Sequence, residues 1–393
     1  MTRLQAIAFV LFVIAVGPLA GCASRSDGGR ESPSMDGTSA AAGTQTPAPP
    51  FPYHSEDVTY SNDAGGVDLA GTLTLPKGPG PFPAAILITG SGPQNRDCEV
   101  FGHKLFLVIA DHLTRGGIAV LRVDDRGVGG STARSPIGTA TSFDFAGDVQ
   151  AGISYLQDRP EISPDEIGLV GHSEGGMIAP IVAARDSRVA FIVMLAGPGI
   201  PVDELLLLQD ERMSRAGGMS EDRIAESRRI QRNVFDVLLE DDVVDADRKA
   251  RLRRLLMNSP AIEGDTPGAR SAAIDDLIGK VSTPWFNAFL RHDPRPTLAR
   301  VGCPVLALNG ELDLQVTCAE NLAGVSAALE HGGNSDATVR AFPDLNHPFQ
   351  HCETGHVDEY ARIEETVSLE VLDVITAWIT ERFSGGDSPG SES

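Results

Sequence analysis

The sequence predicts an α/β fold, a largely parallel sheet covered by helices on both faces and interrupted once by a helical insertion. Three observations carry this. Continuous apolar runs such as Ala84 to Thr89 and Ile167 to Val170 have the pattern of strands buried on both faces. Segments of helical spacing separate those runs, which is the rhythm of a parallel sheet with crossover helices. The rhythm stops at Gly197 and resumes at Pro304.

Taken in order, Glu56 to Ser61 and Val67 to Pro76 alternate apolar and polar residues, and Asp63-Ala64-Gly65-Gly66 between them predicts a hairpin. Ala84 to Thr89 follows as a buried strand. Phe101 to Arg115 is a helix ended by Gly116-Gly117. Ala119 to Val123 is a strand, Asp144 to Gln157 a helix, Ile167 to Val170 a strand, Gly175 to Ala184 a helix and Ala190 to Leu195 a strand. Between Pro201 and Arg291 no buried strand is legible; Leu205 to Ala216, Glu221 to Leu256 and Ile274 to Val281 are helical in spacing. Strand character returns at Pro304 to Leu308. A helix near Ala319 to Leu329, a strand at Ala337 to Ala341 and a long helix from Tyr360 to Phe383 complete the chain. Because strands lie on both sides of it, the helical stretch is an insertion in one sheet.

The N-terminus is set apart from this pattern. Residues 1–21 combine Arg3 with an apolar run, Ala6 to Ala20, too short to span a bilayer comfortably. The run closes in Leu19-Ala20-Gly21-Cys22, which resembles a bacterial lipobox, with cleavage before a cysteine that becomes lipidated. Residues 22–55 are rich in Ser, Gly, Ala, Thr and Pro and predict a disordered tether. About 30 such residues span roughly 30 Å. The organisation expected is a signal peptide at 1–21, a tether at 22–55, a core first part at 56–200, an insertion at 201–300, a core second part at 301–383 and a disordered tail at 384–393. The expected location is the extracytoplasmic side of a bacterial cell envelope, with the membrane held through the lipid on Cys22.

Among 393 residues, 54 acidic against 32 basic side chains give a net charge of −22. A chain this acidic is repelled by nucleic acid, so no nucleic-acid partner is expected. Five cysteines lack any Cys-x-x-Cys spacing and suggest no zinc site; no metal is expected.

The chemistry sits at strand ends. Gly171-His172-Ser173-Glu174-Gly175 follows a buried strand and opens a helix, the strand–turn–helix setting of a G-x-S-x-G nucleophile elbow. Ser173 is the candidate nucleophile. His172 beside it is given packing. A serine hydroxyl needs a base. His347, in Phe342-Pro343-Asp344-Leu345-Asn346-His347-Pro348, is the candidate, with His351 and His356 as rivals further from the strand end. Asp313, just beyond the Asn309-Gly310 turn, is the candidate acid, with Glu311 as the alternative and Asp344 shaping the histidine loop. The order Ser173, Asp313, His347 is one of the known chain orders of a Ser-His-Asp triad. An oxyanion needs donors: the backbone N–H of Glu174 is one. The other comes from Thr89-Gly90-Ser91-Gly92-Pro93, with Ser91 first and Gly92 second.

These stretches, with Gly90 to Asp97, Asp124-Asp125-Arg126-Gly127-Val128-Gly129-Gly130-Ser131 and Leu308 to Val316, resemble bacterial serine esterases of the α/β-hydrolase superfamily, in the serine aminopeptidase-like or dienelactone-hydrolase-like branch. The resemblance covers residues from about 57 to 383. It implies an α/β-hydrolase fold with a mostly parallel eight-stranded sheet and a helical cap over the site. It gives Asp125 and Arg126 a structural rather than a catalytic role. Phe101, Trp285, Phe286 and Phe289 either line an acyl pocket or pack the core and cap. In an exported chain, Cys318 and Cys352 are candidates for a disulfide.

The expected function is a lipid-anchored serine hydrolase that cleaves small-molecule carboxylic esters through an acyl-enzyme, with no cofactor. A serine peptidase of aminopeptidase type, an acyl thioesterase and a non-catalytic ligand-binding lipoprotein are the alternatives.

Overall fold

The structure, a computed structural model of the chain, describes residues 45–134, 137–259 and 266–383. Cys22, the segment before it and the tail at 384–393 lie outside the described residues.

The chain opens with the antiparallel hairpin β1 (His54–Asn62) and β2 (Val67–Leu75). β3 (Phe82–Ile88) follows, then the paired short strands β4 (Glu99–Val100) and β5 (His103–Lys104), then α1 (Leu105–Arg115). Next come β6 (Ala119–Val123), β7 (Thr132–Ala133), α2 (Ser142–Gln157), β8 (Ile162–His172), α3 (Glu174–Ala183) and β9 (Ile192–Leu195). Among the described residues, six helices then run without a strand: α4 (Val202–Ala216), α5 (Glu221–Leu239), α6 (Asp245–Met257), α7 (Pro267–Val281), α8 (Pro284–Leu290) and α9 (Arg295–Leu298). β10 (Val305–Gly310), α10 (Cys318–His331), β11 (Ala337–Phe342) and α11 (Leu369–Phe383) close the chain.

Eight strands pair in the order β1-β2-β6-β3-β8-β9-β10-β11, and the short β7 adds a ninth beside β2. From β6 to β11 every pairing is parallel; β1, β2 and β7 are antiparallel. The eight strands implied by the resemblance are therefore joined by a two-residue ninth, too short to leave a sequence pattern. On one face of the sheet α1 and α11 cover Leu87, Val120, Val193 and Leu306; on the other α2, α3 and α10 cover Ile86, Leu121, Leu169 and Val305. Each such fully buried Leu, Ile or Val contributes about 1.5–3 kcal/mol.

Four expectations need correction. The tether does not extend to residue 55. Gln45 accepts from the N–H groups of Thr366 (2.6 Å) and Val367 (2.9 Å) and donates to the Val367 carbonyl (2.8 Å). Tyr53 is buried and donates to Asp111 (2.8 Å). One long-range hydrogen-bonding residue and one buried ring suffice to hold a segment of low apolar content.

The helix expected from Phe101 begins only at Leu105, because Phe101 (φ 54°) and Gly102 (φ 84°) form a left-handed turn between β4 and β5. The helical stretch Glu221 to Leu256 is split into α5 and α6. Arg291 donates to the carbonyls of Leu238 (2.7 Å), Leu239 (2.9 Å) and Glu240 (3.2 Å), which satisfies the open C-terminus of α5. The helix expected from Tyr360 begins at Leu369. Residues 363–368 instead cross the histidine loop, where the Glu365 carbonyl accepts from Gln350 (2.8 Å) and the Ser368 N–H donates to Phe349 (2.8 Å).

Local chemistry sets several helix starts. Thr141 and Asp144 form a capping box at α2, and Thr266-Pro267 and Thr283-Pro284 place a capping hydroxyl and a proline at the first turns of α7 and α8.

Candidate active site

β8 delivers Ser173 directly to α3. Ser173 sits at φ 56°, ψ −118°, outside the regions an L-residue prefers, and such strain costs on the order of 1–3 kcal/mol. The turn is tight enough that a Cβ on Gly171 would lie 2.0 Å from the Gly175 carbonyl oxygen, and one on Gly175 would lie 2.1 Å from the Ile88 oxygen. Only glycine fits at either position. Hydrogen bonds from Ser173 N–H to Leu195 O and from Gly176 N–H to Ser173 O, both 2.9 Å, hold the turn to β9 and α3.

Two sheet positions away, β10 ends at Gly310, where a Cβ would lie 2.2 Å from the Leu345 carbonyl; the missing side chain lets the histidine loop close on the acid loop. His347 Nδ1 meets Asp313 Oδ2 at 2.7 Å, both residues buried. Since a carboxylate only accepts, Nδ1 carries the proton and Nε2 is left as a base. Asp313 Oδ1 takes the N–H groups of Gln315 (2.8 Å) and Val316 (2.9 Å), so both oxygens are occupied. Glu311 is exposed and does not meet His347. His351 pairs with Glu365 (2.8 Å), and His356 caps the short helix at Val357–Arg362. Asp344 takes φ 58°, and its carbonyl accepts from the Cys352 N–H (3.0 Å), shaping the loop.

His172 does more than pack. Its Nε2 lies 3.0 Å from the His347 carbonyl oxygen, to which it donates, and the two rings are 4.7 Å apart. Burial, and then the charge of His347, push the His172 pKa down to about 3. Above pH 6.5 neither folded nor unfolded chain carries this proton, so the group costs nothing. Below it the unfolded chain takes up a proton that the folded one refuses, and stability falls toward pH 3. Between pH 7 and pH 5 the loss from this group is about 2 kcal/mol. Denaturant titrations should therefore show His172→Gln gaining about that much on the wild type over this interval. Parallel curves for the two proteins would refute it.

The loop after β3 lies against the elbow, with the Gly90 Cβ position 3.2 Å from the Ser173 Cβ. Asp125 holds both ends of this loop: Oδ1 accepts from the Thr89 hydroxyl (2.7 Å) and Oδ2 from the Gln94 N–H (2.8 Å). Burial, partly offset by those two hydrogen bonds, pushes its pKa to about 7. Arg126 bridges to Asp148 and to the Asp144 carbonyl.

Glu174 heads α3, in the first turn where backbone N–H groups lack intrahelical acceptors. Its side chain is buried. Oε1 accepts from Ser142 (2.6 Å) and from the Trp285 indole of α8 (2.9 Å). Burial raises its pKa against the hydrogen bonds of Ser142, Trp285 and Ser91. The sequence pattern flagged only its backbone; these side-chain partners are as far as 111 residues away.

Ser91, Ser173, Glu174 and His347 line one cavity, with Leu205, Leu206 and Gln209 of α4 on its wall; the empty volume is about 1060 Å³, part of it open to solvent. Of the four aromatics singled out, Phe101 and Phe289 line it. Phe286 is buried in packing, and Trp285 stacks on Phe289 at 5.3 Å.

The disulfide considered for Cys318 and Cys352 is not formed: both are free thiols. Cys352 Sγ is directed at the Asp344 carbonyl (3.6 Å), and Cys318 is buried at the start of α10. Among the described residues, no group of three or more His, Cys, Asp or Glu side chains is placed to hold a metal ion.

Comparisons with known proteins agree with this architecture. The model of the alpha/beta hydrolase family matches residues 85–363. The chain is 25% identical over 342 residues to Esterase EstD of Thermotoga maritima, an alignment that spans 84% of this chain and 69% of that protein. Among solved structures, the alpha/beta hydrolase GrgF of Penicillium sp. sh18 superposes with a TM-score of 0.52 at 16% identity, over 84% of this chain and 100% of that one. An esterase of Pyrococcus furiosus gives 0.51 at 14% identity, over 85% and 92%. At such identities the two structures speak to fold.

Proposed function

The chain belongs to the alpha/beta hydrolase family, and from that premise we propose that it is a serine hydrolase that cleaves small-molecule carboxylic esters through an acyl-enzyme. The observation that carries the reading is the buried His347–Asp313 pair, 2.7 Å long, at the cavity that Ser173 also lines. In this reading Ser173 attacks the ester carbonyl while His347 Nε2 takes its proton. Asp313 holds the imidazole in the right tautomer and stabilises its charged form. The backbone N–H groups of Glu174 and Ser91 hold the oxyanion. His347 returns the proton to the leaving alcohol, and water, activated by the same base, releases the acid. The helices α4 to α9 act as a cap, with α4 and Phe289 of α8 shaping the pocket.

Labelling with a fluorophosphonate, followed by p-nitrophenyl esters, aminoacyl anilides and acyl thioesters at matched chain length, tests this. Labelling at Ser173 with esters turned over fastest is expected. Faster anilide or thioester turnover would make it a peptidase or thioesterase, and absence of labelling in folded protein would leave a ligand binder.

Asp125 is a positioning residue in this scheme, because it ties down both ends of the Ser91 loop. Asp125→Ala should lower kcat roughly ten- to a hundredfold, with little change in KM, since the donor it steadies acts in the transition state. A variant that lost only KM would refute that role.

The cell-envelope location is part of the same proposal. The support is the run Leu19-Ala20-Gly21-Cys22 closing an apolar segment. Mass spectrometry of the mature N-terminal peptide should find lipid on Cys22; an unmodified peptide starting elsewhere rules the anchor out.

A further inference from the structure

Four glutamines line the cavity, Gln94, Gln209, Gln315 and Gln350, and three of them serve the fold. Gln94 donates from Nε2 to the Ser91 carbonyl (3.3 Å), and its Oε1 accepts from the Cys98 thiol (2.9 Å). Gln315 donates to the Tyr360 hydroxyl (3.1 Å). Gln350 donates to the Glu365 carbonyl (2.8 Å) and accepts from Asn346 (3.0 Å). Gln209, on α4, is different. The residue is only 5% exposed, and its Oε1 is sealed from solvent with no partner within 3.5 Å. Among the described residues its Nε2 has no hydrogen-bond partner either, but it is not sealed off as Oε1 is.

The surroundings make an amide a costly choice at this place. α4 turns a line of buried apolar residues inward, Val202, Leu205, Leu206 and Met213, and Gln209 falls on that line one turn beyond Leu205. Leu205 and Leu206 line the same cavity. A leucine or methionine would fill the position without an amide to desolvate. A buried amide that supports nothing in the fold and stands at the substrate cavity is accounted for by a partner that arrives with the substrate.

Resting on the ester-hydrolase reading, we infer that Gln209 is a substrate-recognition residue and that the preferred esters carry an uncharged accepting oxygen, a hydroxyl or a ketone, in the part that lies against α4. The Gln209 Nε2–H donates to that oxygen, whereas an alkyl ester of the same shape leaves the amide unpaired. A half-turn of the last side-chain torsion exchanges the two ends of the amide, and a hydroxyl, which donates as well as accepts, meets either end. An anionic group does not suit the place, since no lysine or arginine lines the cavity among the described residues. A site that must satisfy a buried polar group discriminates far more strongly than an apolar pocket does.

Three pairs of esters, matched in shape, test this on the full chain at neutral pH. Methyl β-hydroxybutyrate against methyl isovalerate and methyl levulinate against methyl isocaproate place the oxygen at two depths on the acyl side. Hydroxyethyl butanoate against propyl butanoate places it on the alcohol side. In at least one pair the wild type should favour the oxygenated ester by tenfold or more in kcat/KM. Gln209→Met, close to glutamine in size and shape, should erase most of that preference, and Gln209→Leu should do the same. Because the readout is a ratio within a pair, neither disturbed packing nor the intrinsic reactivity of an ester imitates the change. A wild-type preference below tenfold in every pair overturns the inference without need of any variant. It falls equally if a folded variant keeps the wild-type ratio. In either case turnover of the alkyl esters leaves the ester-hydrolase reading standing. Failure of the wild type to cleave any ester would overturn that reading, and this inference with it.

Discussion

Ser173→Ala should lower kcat on a carboxylic ester by on the order of 10⁴-fold or more, with the folded structure retained. The two halves of that expectation have separate physical sources. Alanine keeps the Cβ, so the strained backbone at φ 56° is no harder to adopt than before, and both hydrogen bonds of the turn are made by main-chain atoms. What disappears is the one hydroxyl that can form the acyl-enzyme. Residual activity would come from oxyanion donors and substrate binding alone. The measurements are single-substrate kinetics, fluorophosphonate labelling and a melting curve. Near wild-type turnover by pure variant would end the assignment, whereas a melting temperature lowered by more than several degrees would make the loss of activity uninformative. His347→Ala then serves as the independent check, because it removes the base from another loop.

Asp313→Asn carries the second-largest expected effect, about 10⁴-fold in kcat, and the reason is specific to this site. Oδ1 of Asp313 accepts two backbone N–H groups, from Gln315 and Val316, while Oδ2 faces His347. An amide has one oxygen. It will be drawn to the two N–H donors, which turns the amide NH₂ toward His347 Nδ1. That nitrogen must then accept, the ring proton moves to Nε2, and the base is lost. The substitution is nearly isosteric, so folding and substrate binding should change little. A pH–rate profile with unaltered kcat at neutral pH would contradict the expectation.

The most legible parts of this protein were those set by local chemistry. A run such as Ala84 to Ile88 has no polar side of its own and, at that length and between turn residues, reads as a strand buried on both faces. The Gly171 to Gly175 elbow needs its glycines because backbone from the same short segment and from β3 passes within about two ångströms of where side chains would be. Capping residues at α2, α7 and α8 act on N–H groups two or three positions away, yet the starts of α2 and α7 were expected later than they occur, and α8 was not expected at all. There the apolar periodicity was the signal followed, and it begins after the cap.

Contacts between distant segments decided the rest. Residues 363–368 have helical spacing next to a real helix, but Gln45, Gln350 and Phe349 offer their backbone better partners, and the helix waits until Leu369. Gln45 and Tyr53 sit in a segment too polar to bury a core, yet Gln45 is held by the backbone of Thr366 and Val367 and Tyr53 by Asp111. The split between α5 and α6 depends on Arg291, fifty residues downstream, reaching carbonyls that the helix leaves open.

By itself, the sequence determined the α/β rhythm, the interrupting helices and a serine on a strained turn, since apolar periodicity and glycine spacing are properties of neighbouring residues. Only the tertiary structure decided which acid faces His347, that His172 supports the His347 backbone, and that the Glu174 carboxyl is buried among Ser142, Trp285 and the pocket. The direction of a side chain at a strand end depends on the loop that closes over it, and the charge state of a buried acid depends on which donors the fold brings to it from elsewhere in the chain.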